Sequence, residues 1–264
     1  MDVSRIRTDL IAEQQALDEI VSGLDSEQWS SATPSPRWSV ADQIGHLAYF
    51  DHSAVVAITD PQRFSSLLGE LFSVAGGGDE AIDELTLGGY RQMPSSDLLE
   101  AWRANRESLA AASAGLTNDQ RVNWYGPSMS SRSFLTARLM ETWAHGQDIV
   151  DTVGVGRPAT DRLQHIAQLG FITRAWSYTN RGLQVPSEPV RVELLSPSGE
   201  PWFYGPEGAA ESVEGSAEDF CLVVTQRRHV DDTTLTVTEL GRDWLEKAQA
   251  FAGPSTDGPK ARFP

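Results

Sequence analysis

The segment RLMETWAHGQDIVDTV, residues 138–153, predicts a helix with a polar stripe set into a fairly apolar surface. Glu141 and His145 are four residues apart, so on a helix they project from one face and could reach a single metal ion. Arg138 and Asp148 extend the stripe. Polar groups that face inward among apolar neighbours need partners. On its own, however, such a pair also fits an ordinary surface contact.

A second segment, SVADQIGHLAYFD at residues 39–51, places His46 in the middle of another predicted helix. A lone histidine there is more often a hydrogen-bonded core residue, but helical bundles commonly build metal sites from inward side chains on facing helices. Three protein ligands with an open fourth position are typical of catalytic zinc, whereas structural zinc usually takes four. His46, Glu141 and His145 could therefore hold one divalent metal ion, with a surface contact on one helix and a core histidine on the other as the alternatives.

Polar neighbours of these ligands have more than one possible role. Asp42 and Gln43 lie one turn before His46 and could contact its second ring nitrogen. For Asp42 we prefer the role of a helix cap, because it follows Ser39 by three residues and completes a capping box. Arg138, one turn before Glu141, could hold an anionic substrate beside the metal or pair with that carboxylate.

The remainder of the chain predicts an α+β fold in which a helical bundle over 1–182 precedes a small α+β domain over 183–252. Residues 253–264 are expected to form a loose tail. The alternating stretch VRVELLSPSGEPWFYG predicts two strands around a turn, and the segments CLVVTQ and TLTVTEL predict further strands. A closing helix is expected over DWLEKAQAFAG. The earlier helices are predicted over 3–24, 39–59, 61–74, 95–114, 132–153 and 160–180.

Composition excludes several classes of function. The 264 residues carry 21 basic and 37 acidic side chains, and this formal charge of −16 disfavours nucleic acids and anionic membranes as partners. Cys221 is the single cysteine, so no intramolecular disulfide can form. The N-terminus lacks the apolar core of a signal peptide, and no apolar run approaches the roughly 20 residues that span a bilayer. We expect a cytoplasmic monomer or homodimer that acts on a small molecule.

The two helical motifs together resemble the mycothiol-dependent maleylpyruvate isomerase family, which belongs to the wider DinB-like metal-binding bundles. The resemblance implies an up-down-down-up four-helix bundle, followed by a small α+β domain, with His46, Glu141 and His145 as metal ligands. The residues that carry it are Trp38, Ser39, Val40, Asp42, Ile44, His46 and Leu47 in the first motif, and Glu141, Trp143, His145, Asp148 and Ile149 in the second.

The C-terminal part matches the family more loosely, over 192–202, 215–220 and 226–228. The family carries an arginine at about this place that helps to hold an anionic substrate or the thiol cofactor. The resemblance implies that Arg227 has this role, with Arg228 as the alternative.

The resemblance implies a metal-dependent enzyme that uses mycothiol for isomerisation or sulfur transfer on a small, electrophilic, anionic substrate. An open zinc position stabilises a bound thiol as its thiolate, which can attack an electrophilic carbon. One alternative is a thiol-independent metal enzyme of secondary metabolism, a hydrolase, cyclase or isomerase. Another is a non-enzymatic metal-binding protein. Zinc is the expected ion, although two histidines and one glutamate also accept Ni²⁺, Co²⁺, Mn²⁺ or Fe²⁺.

Overall fold

The computed structural model describes residues 2–262, and its internal contacts divide the chain into two units that meet between Gly156 and Arg157. The first unit is helical and the second combines helices with a four-stranded sheet, which confirms the predicted α+β class. The boundary lies before the predicted one at residues 182 and 183. The reason is that the two helices between 163 and 179 pack against helices and a strand of the second unit.

Four long helices, α1, α3, α6 and α7, build the first unit, with α3 against α6 and α7, and α1 against α7 and α6. Helices α4 and α5 pack on each other and on α3, and a short antiparallel hairpin of β1 and β2 precedes α7. The bounds are α1 Val3–Val21, α2 Ser26–Ser30, α3 Val40–Thr59, α4 Pro61–Ala75, α5 Gly78–Arg91, α6 Ser95–Ala112, β1 Arg121–Val122, β2 Met129–Ser130 and α7 Ser131–Val153.

Local signals explain where the two motif helices begin and end. The Ser39 hydroxyl accepts a hydrogen bond from the Asp42 amide, and the Asp42 carboxylate accepts one from the Ser39 amide, which confirms the predicted capping box of α3. Helix α7 begins after Ser130, whose hydroxyl accepts from the Ser133 amide, and ends at Gly154 in the left-handed region. A buried apolar core joins these helices, formed by Leu17, Val21, Ile44, Leu47, Trp102 and Ile149 among others.

Helix α5 was not predicted, because the glycine-rich segment before it indicated a longer break in the chain. The break is only a short turn, since Gly78 adopts a φ of 78° and already belongs to the helix. Asp79 and Glu80 follow in the first turn, where carboxylates interact favourably with the helix dipole.

The second unit contains the sheet, in the strand order β4-β3-β5-β6, with β3 and β5 parallel and the other pairs antiparallel. The predicted pair of strands around the Ser-Pro-Ser-Gly turn is confirmed as β3 and β4. The bounds are α8 Leu163–Ile172, α9 Arg174–Thr179, β3 Val190–Leu195, β4 Pro201–Tyr204, β5 Glu211–Ser216, α10 Ala217–Val224, β6 Thr236–Val237 and α11 Glu239–Leu245.

Two predictions for this unit are wrong in part. The segment CLVVTQ is not a strand, because Ser216 caps a helix by accepting from the Asp219 amide, and the apolar run forms the buried turns of α10. Cys221 lies in that helix, and burial raises the pKa of its thiol well above the usual value. The closing helix begins earlier than predicted, at Glu239, and ends at Leu245.

The end of the chain, predicted as a loose tail, makes specific hydrogen bonds. The Asn180 side-chain amide donates to the Gly253 carbonyl at 3.0 Å, and the Arg262 amide donates to the Asp232 carboxylate at 2.8 Å. No helix within residues 2–262 combines the length and apolar character needed to cross a membrane.

Candidate metal centre

Helices α3 and α7 bring the three predicted ligands together. His46 lies on α3, and Glu141 and His145 lie one turn apart on α7. The Nε2 atom of His145 is 3.0 Å from Oε2 of Glu141, and Nε2 of His46 is 3.4 Å from the same oxygen. Of the residues that the structure describes, these three are the one group of histidine, cysteine and carboxylate side chains grouped closely enough to hold a metal ion.

Two of the three separations between these atoms suit a tetrahedral cation, and all three atoms lie within 4.8 Å of one another. Ligand atoms about 2.0–2.1 Å from a zinc ion lie about 3.3 Å from one another at tetrahedral angles. The two measured separations, 3.0 and 3.4 Å, bracket that value. The side chains of His46, Glu141 and His145 are 15%, 24% and 11% exposed, so the group is partly accessible to solvent.

The protonation states at neutral pH also suit a cation. Burial, helped by the charge of His145, lowers the pKa of His46 to about 4, so this imidazole stays neutral. Burial alone would raise the pKa of Glu141, but the polar contacts of its Oε2 with His145 and His46 outweigh burial and hold that pKa well below its usual value. A neutral imidazole and an ionised carboxylate are the forms that bind metals.

Aromatic rings hold the two imidazoles in place. The Trp38 ring centroid lies 5.0 Å from that of His46 and 5.8 Å from that of His145, and the Phe50 centroid lies 4.6 Å from that of His46. The indole N–H of Trp38 donates to Asp83 at 3.1 Å, which fixes its ring. Sequence reasoning missed Phe50, although its position one turn after His46 on α3 was the available signal.

The residues one turn before His46 have different partners from one another. Asp42 caps α3 and accepts a 2.7 Å hydrogen bond from Arg91, as expected of a capping residue rather than a partner of the imidazole. Within residues 2–262 the Gln43 side chain makes its hydrogen bonds to Thr33 and His145 and not to His46. Its Oε1 lies 2.5 Å from Nδ1 of His145, because this side of α3 faces α7. The expected contact to a second ring nitrogen is therefore present, but on the other histidine.

Arg138 pairs with Asp51 and not with Glu141. Its Nε and Nη2 atoms donate to Asp51 Oδ1 at 3.1 and 2.9 Å. Gln14 and Trp102 donate to Asp51 Oδ2 at 3.0 and 3.2 Å. The two charged side chains are 3% and 0% exposed. The sequence offered one signal for this pair, a charged residue within the apolar part of α3.

Arg227 and Arg228 belong to the second unit, directly after α10. The Nη1 atom of Arg227 donates to the Thr225 carbonyl at 2.6 Å, and that of Arg228 donates to the Arg227 carbonyl at 2.7 Å. A role for either guanidinium in substrate binding stays a prediction.

Comparisons with known proteins cover nearly the whole chain. The model of the mycothiol maleylpyruvate isomerase N-terminal domain matches residues 10–150, more than half of the chain, and a model described as wyosine base formation matches residues 186–238. Two uncharacterized proteins of Mycobacterium tuberculosis, from the strains CDC 1551 and H37Rv, are each 45% identical over 254 residues, which are 95% of this chain and 96% of theirs.

Two crystal structures share the fold. They are the mycothiol-dependent maleylpyruvate isomerase and a point mutant of it, with TM-scores of 0.56 and 0.57 and 17% sequence identity. Each match covers 91% of this chain and 94% of the other. At this identity the likeness supports the DinB-like architecture, and the family model extends that assignment to the sequence of the bundle.

Proposed function

The chain belongs to the mycothiol-dependent maleylpyruvate isomerase family, and from this premise we propose that it is a metal-dependent enzyme that uses mycothiol or a similar small thiol. The substrate class is a small electrophile, and the reaction is isomerisation or sulfur transfer. The observation that carries the proposal is the convergence of His46, Glu141 and His145, whose ligand atoms lie within 4.8 Å of one another.

The donor set fits a thiol-activating site. Two neutral imidazoles and one carboxylate would leave a bound divalent ion with a net charge of +1, which favours a thiolate over a thiol as the fourth ligand. His46 and His145 supply nitrogen, and Glu141 supplies the balancing charge. Zinc is the ion we propose, although this donor set also binds other divalent transition metals.

The proposed reaction is reversible addition to a conjugated double bond. The thiolate sulfur bonds to the electrophilic carbon, and the π electrons move to the carbonyl oxygen to form an enolate. Rotation about the resulting single bond, followed by return of the electrons and loss of the thiolate, gives the isomer. If the enolate carbon takes up a proton instead, the thiol adduct is the product.

We propose Arg227, with Arg228 as the alternative, as the residue that pairs with a carboxylate of an anionic substrate. Arg138 is the weaker choice, because two of its nitrogen atoms already donate to the buried Asp51. A substitution Arg227→Met should raise KM for an anionic electrophile more than it lowers kcat, since it would remove binding energy that the ground state also uses.

The test is a reaction of the metal-loaded protein with mycothiol and maleylpyruvate, compared with the metal-free protein and with His145→Ala. We expect acceleration that requires both metal and thiol and that is lost in the variant. Turnover of an electrophile that does not need the thiol would replace this proposal with a hydrolase or cyclase. Metal uptake without any turnover would support a metal-binding protein.

A further inference from the structure

The direction of the Gln43 side-chain amide is fixed by a short relay of hydrogen bonds. The Thr33 hydroxyl donates to the Trp38 carbonyl oxygen at 2.9 Å, so it can only accept from Gln43. The Gln43 amide nitrogen donates to that hydroxyl oxygen at 2.8 Å. Its carbonyl oxygen must then be the atom that faces His145.

This direction determines which nitrogen of His145 carries a proton. A carbonyl oxygen only accepts, so the Nδ1 atom at 2.5 Å from Gln43 must be the donor. Nε2, which lies 3.0 Å from Glu141, is the ring atom left for a cation. His46 differs, since its Nδ1 has no hydrogen-bond partner within residues 2–262 and aromatic rings hold its imidazole.

We propose that Gln43 is the positioning residue of the metal centre. Through Thr33 and the Trp38 carbonyl, it holds His145 in the one tautomer whose Nε2 points to the ion. Gln43 is 0% exposed, so water cannot readily replace its carbonyl oxygen. Its removal would leave the ring N–H of His145 without a hydrogen-bond acceptor in place, since the Asp148 carboxylate lies 3.9 Å from Nδ1, too far for a hydrogen bond. The inference rests on the proposed metal site and adds to it the residue that aligns one ligand.

The experiment measures zinc affinity by competition with a chelator in four variants of the full chain. Gln43→Met should weaken binding by about 10–100-fold, as loss of a partner of a metal-bound histidine usually does. Gln43→Glu keeps an acceptor and should restore affinity to within a few fold of the natural protein. Thr33→Val frees the amide to rotate and should have an intermediate effect.

The matched control is Gln14→Met, which replaces another buried glutamine of the same unit that donates to Asp51 and touches no ligand. It should leave zinc affinity unchanged even if it lowers stability. Circular dichroism identifies any variant that fails to fold. If Gln43→Met fails to fold, the zinc affinities of Gln43→Glu and Thr33→Val still test the proposal.

A second readout is the exchangeable ring N–H proton of His145 in the cobalt-loaded protein, observed by NMR. We expect a slowly exchanging signal in the natural protein and faster exchange in Gln43→Met. If Gln43→Met changes neither the zinc affinity nor the exchange rate of the His145 ring proton, the proposed role of Gln43 is wrong, but the proposed metal site is not affected. Absence of zinc and cobalt uptake by the natural protein would instead overturn the metal site itself, and this inference with it.

Discussion

Helices α3 and α7 carry two clusters of charged side chains that differ in how completely they are paired. In the closed cluster, Asp51 accepts two hydrogen bonds from Arg138 on one oxygen and two more from neutral donors on the other. In the open cluster, two imidazoles of His46 and His145 face a single oxygen of Glu141. In the closed cluster, the charge of Asp51 is therefore balanced by Arg138. In the open cluster, the charge of Glu141 has no arginine or lysine partner within residues 2–262.

This difference in pairing suggests that the two clusters have different roles, one in stability and one in function. Burial raises the pKa of Asp51, and Arg138 with the neutral donors opposes that rise, so removing a partner would leave a buried polar group unpaired. Glu141 is held ionised by two imidazoles that are themselves metal ligands by type. The closed cluster has its charges paired within the fold, whereas the open cluster is the group that we propose as the site of a cation.

The largest effect should come from breaking the closed cluster. Asp51→Ala leaves Arg138 buried without its counter-charge, and we expect a loss of about 3–5 kcal/mol in the free energy of unfolding. Urea denaturation measures it. The double variant Asp51→Leu with Arg138→Met should recover most of that loss, because no charge stays unpaired. A loss below about 1 kcal/mol for the single variant would contradict the assignment.

The second-largest effect should be a dependence of the free energy of unfolding on pH in the metal-free protein. The pKa of His46 is about 4 in the folded chain against the ordinary 6.5, so between these values the unfolded chain binds a proton that the folded chain does not. The free energy of unfolding should therefore fall as the pH decreases from 6.5 to 4, by about 3 kcal/mol at most. His46→Asn should flatten this part of the curve, and an identical curve in both proteins would contradict the burial of a neutral imidazole.

A comparable effect should appear when zinc is added. At about 100 times its Kd, a ligand that binds only the folded state stabilises a protein by about 2.7 kcal/mol. We expect this increase in the natural protein and none in His145→Ala. Thermal unfolding with and without zinc measures it. Arg138→Met is the matched comparison in the closed cluster, and it should retain the zinc response although it starts from a lower stability.

The smallest effect concerns the ring that contacts both imidazoles. Trp38→Phe keeps an aromatic surface but removes the indole donor to Asp83, and we expect a loss of about 1 kcal/mol in stability. Zinc affinity should change by less than in Gln43→Met, because no polar partner of a ligand is removed. A larger loss of affinity in Trp38→Phe than in Gln43→Met would show that ring packing, not the amide, aligns the site.

The convergence of His46, Glu141 and His145 was predictable from the sequence because its signals are local or carried by a motif. Glu141 and His145 are one helical turn apart, and the capping box at Ser39 fixes where the helix of His46 begins. The pairing of Arg138 with Asp51 was not accessible, since it joins residues 87 positions apart and depends on how two helices are rotated. The rotation of α3 relative to α7 also explains why Gln43 contacts His145 and not His46.

The second unit was harder to predict for a different reason. The run CLVVTQ is too short and too uniformly apolar to show a helical or a strand period, so its type depends on Ser216, the cap before it. The unit boundary was misplaced because the periodicity of α8 and α9 shows that they are helices but does not show which neighbours bury them.

The most direct test is anomalous diffraction at the zinc edge from crystals of protein purified without a metal-affinity tag. The central claim predicts one peak per chain, within coordination distance of Nε2 of His46, Nε2 of His145 and a carboxylate oxygen of Glu141. A map with no peak at this position after soaking in zinc, or with the His46 imidazole turned away from α7, would contradict it.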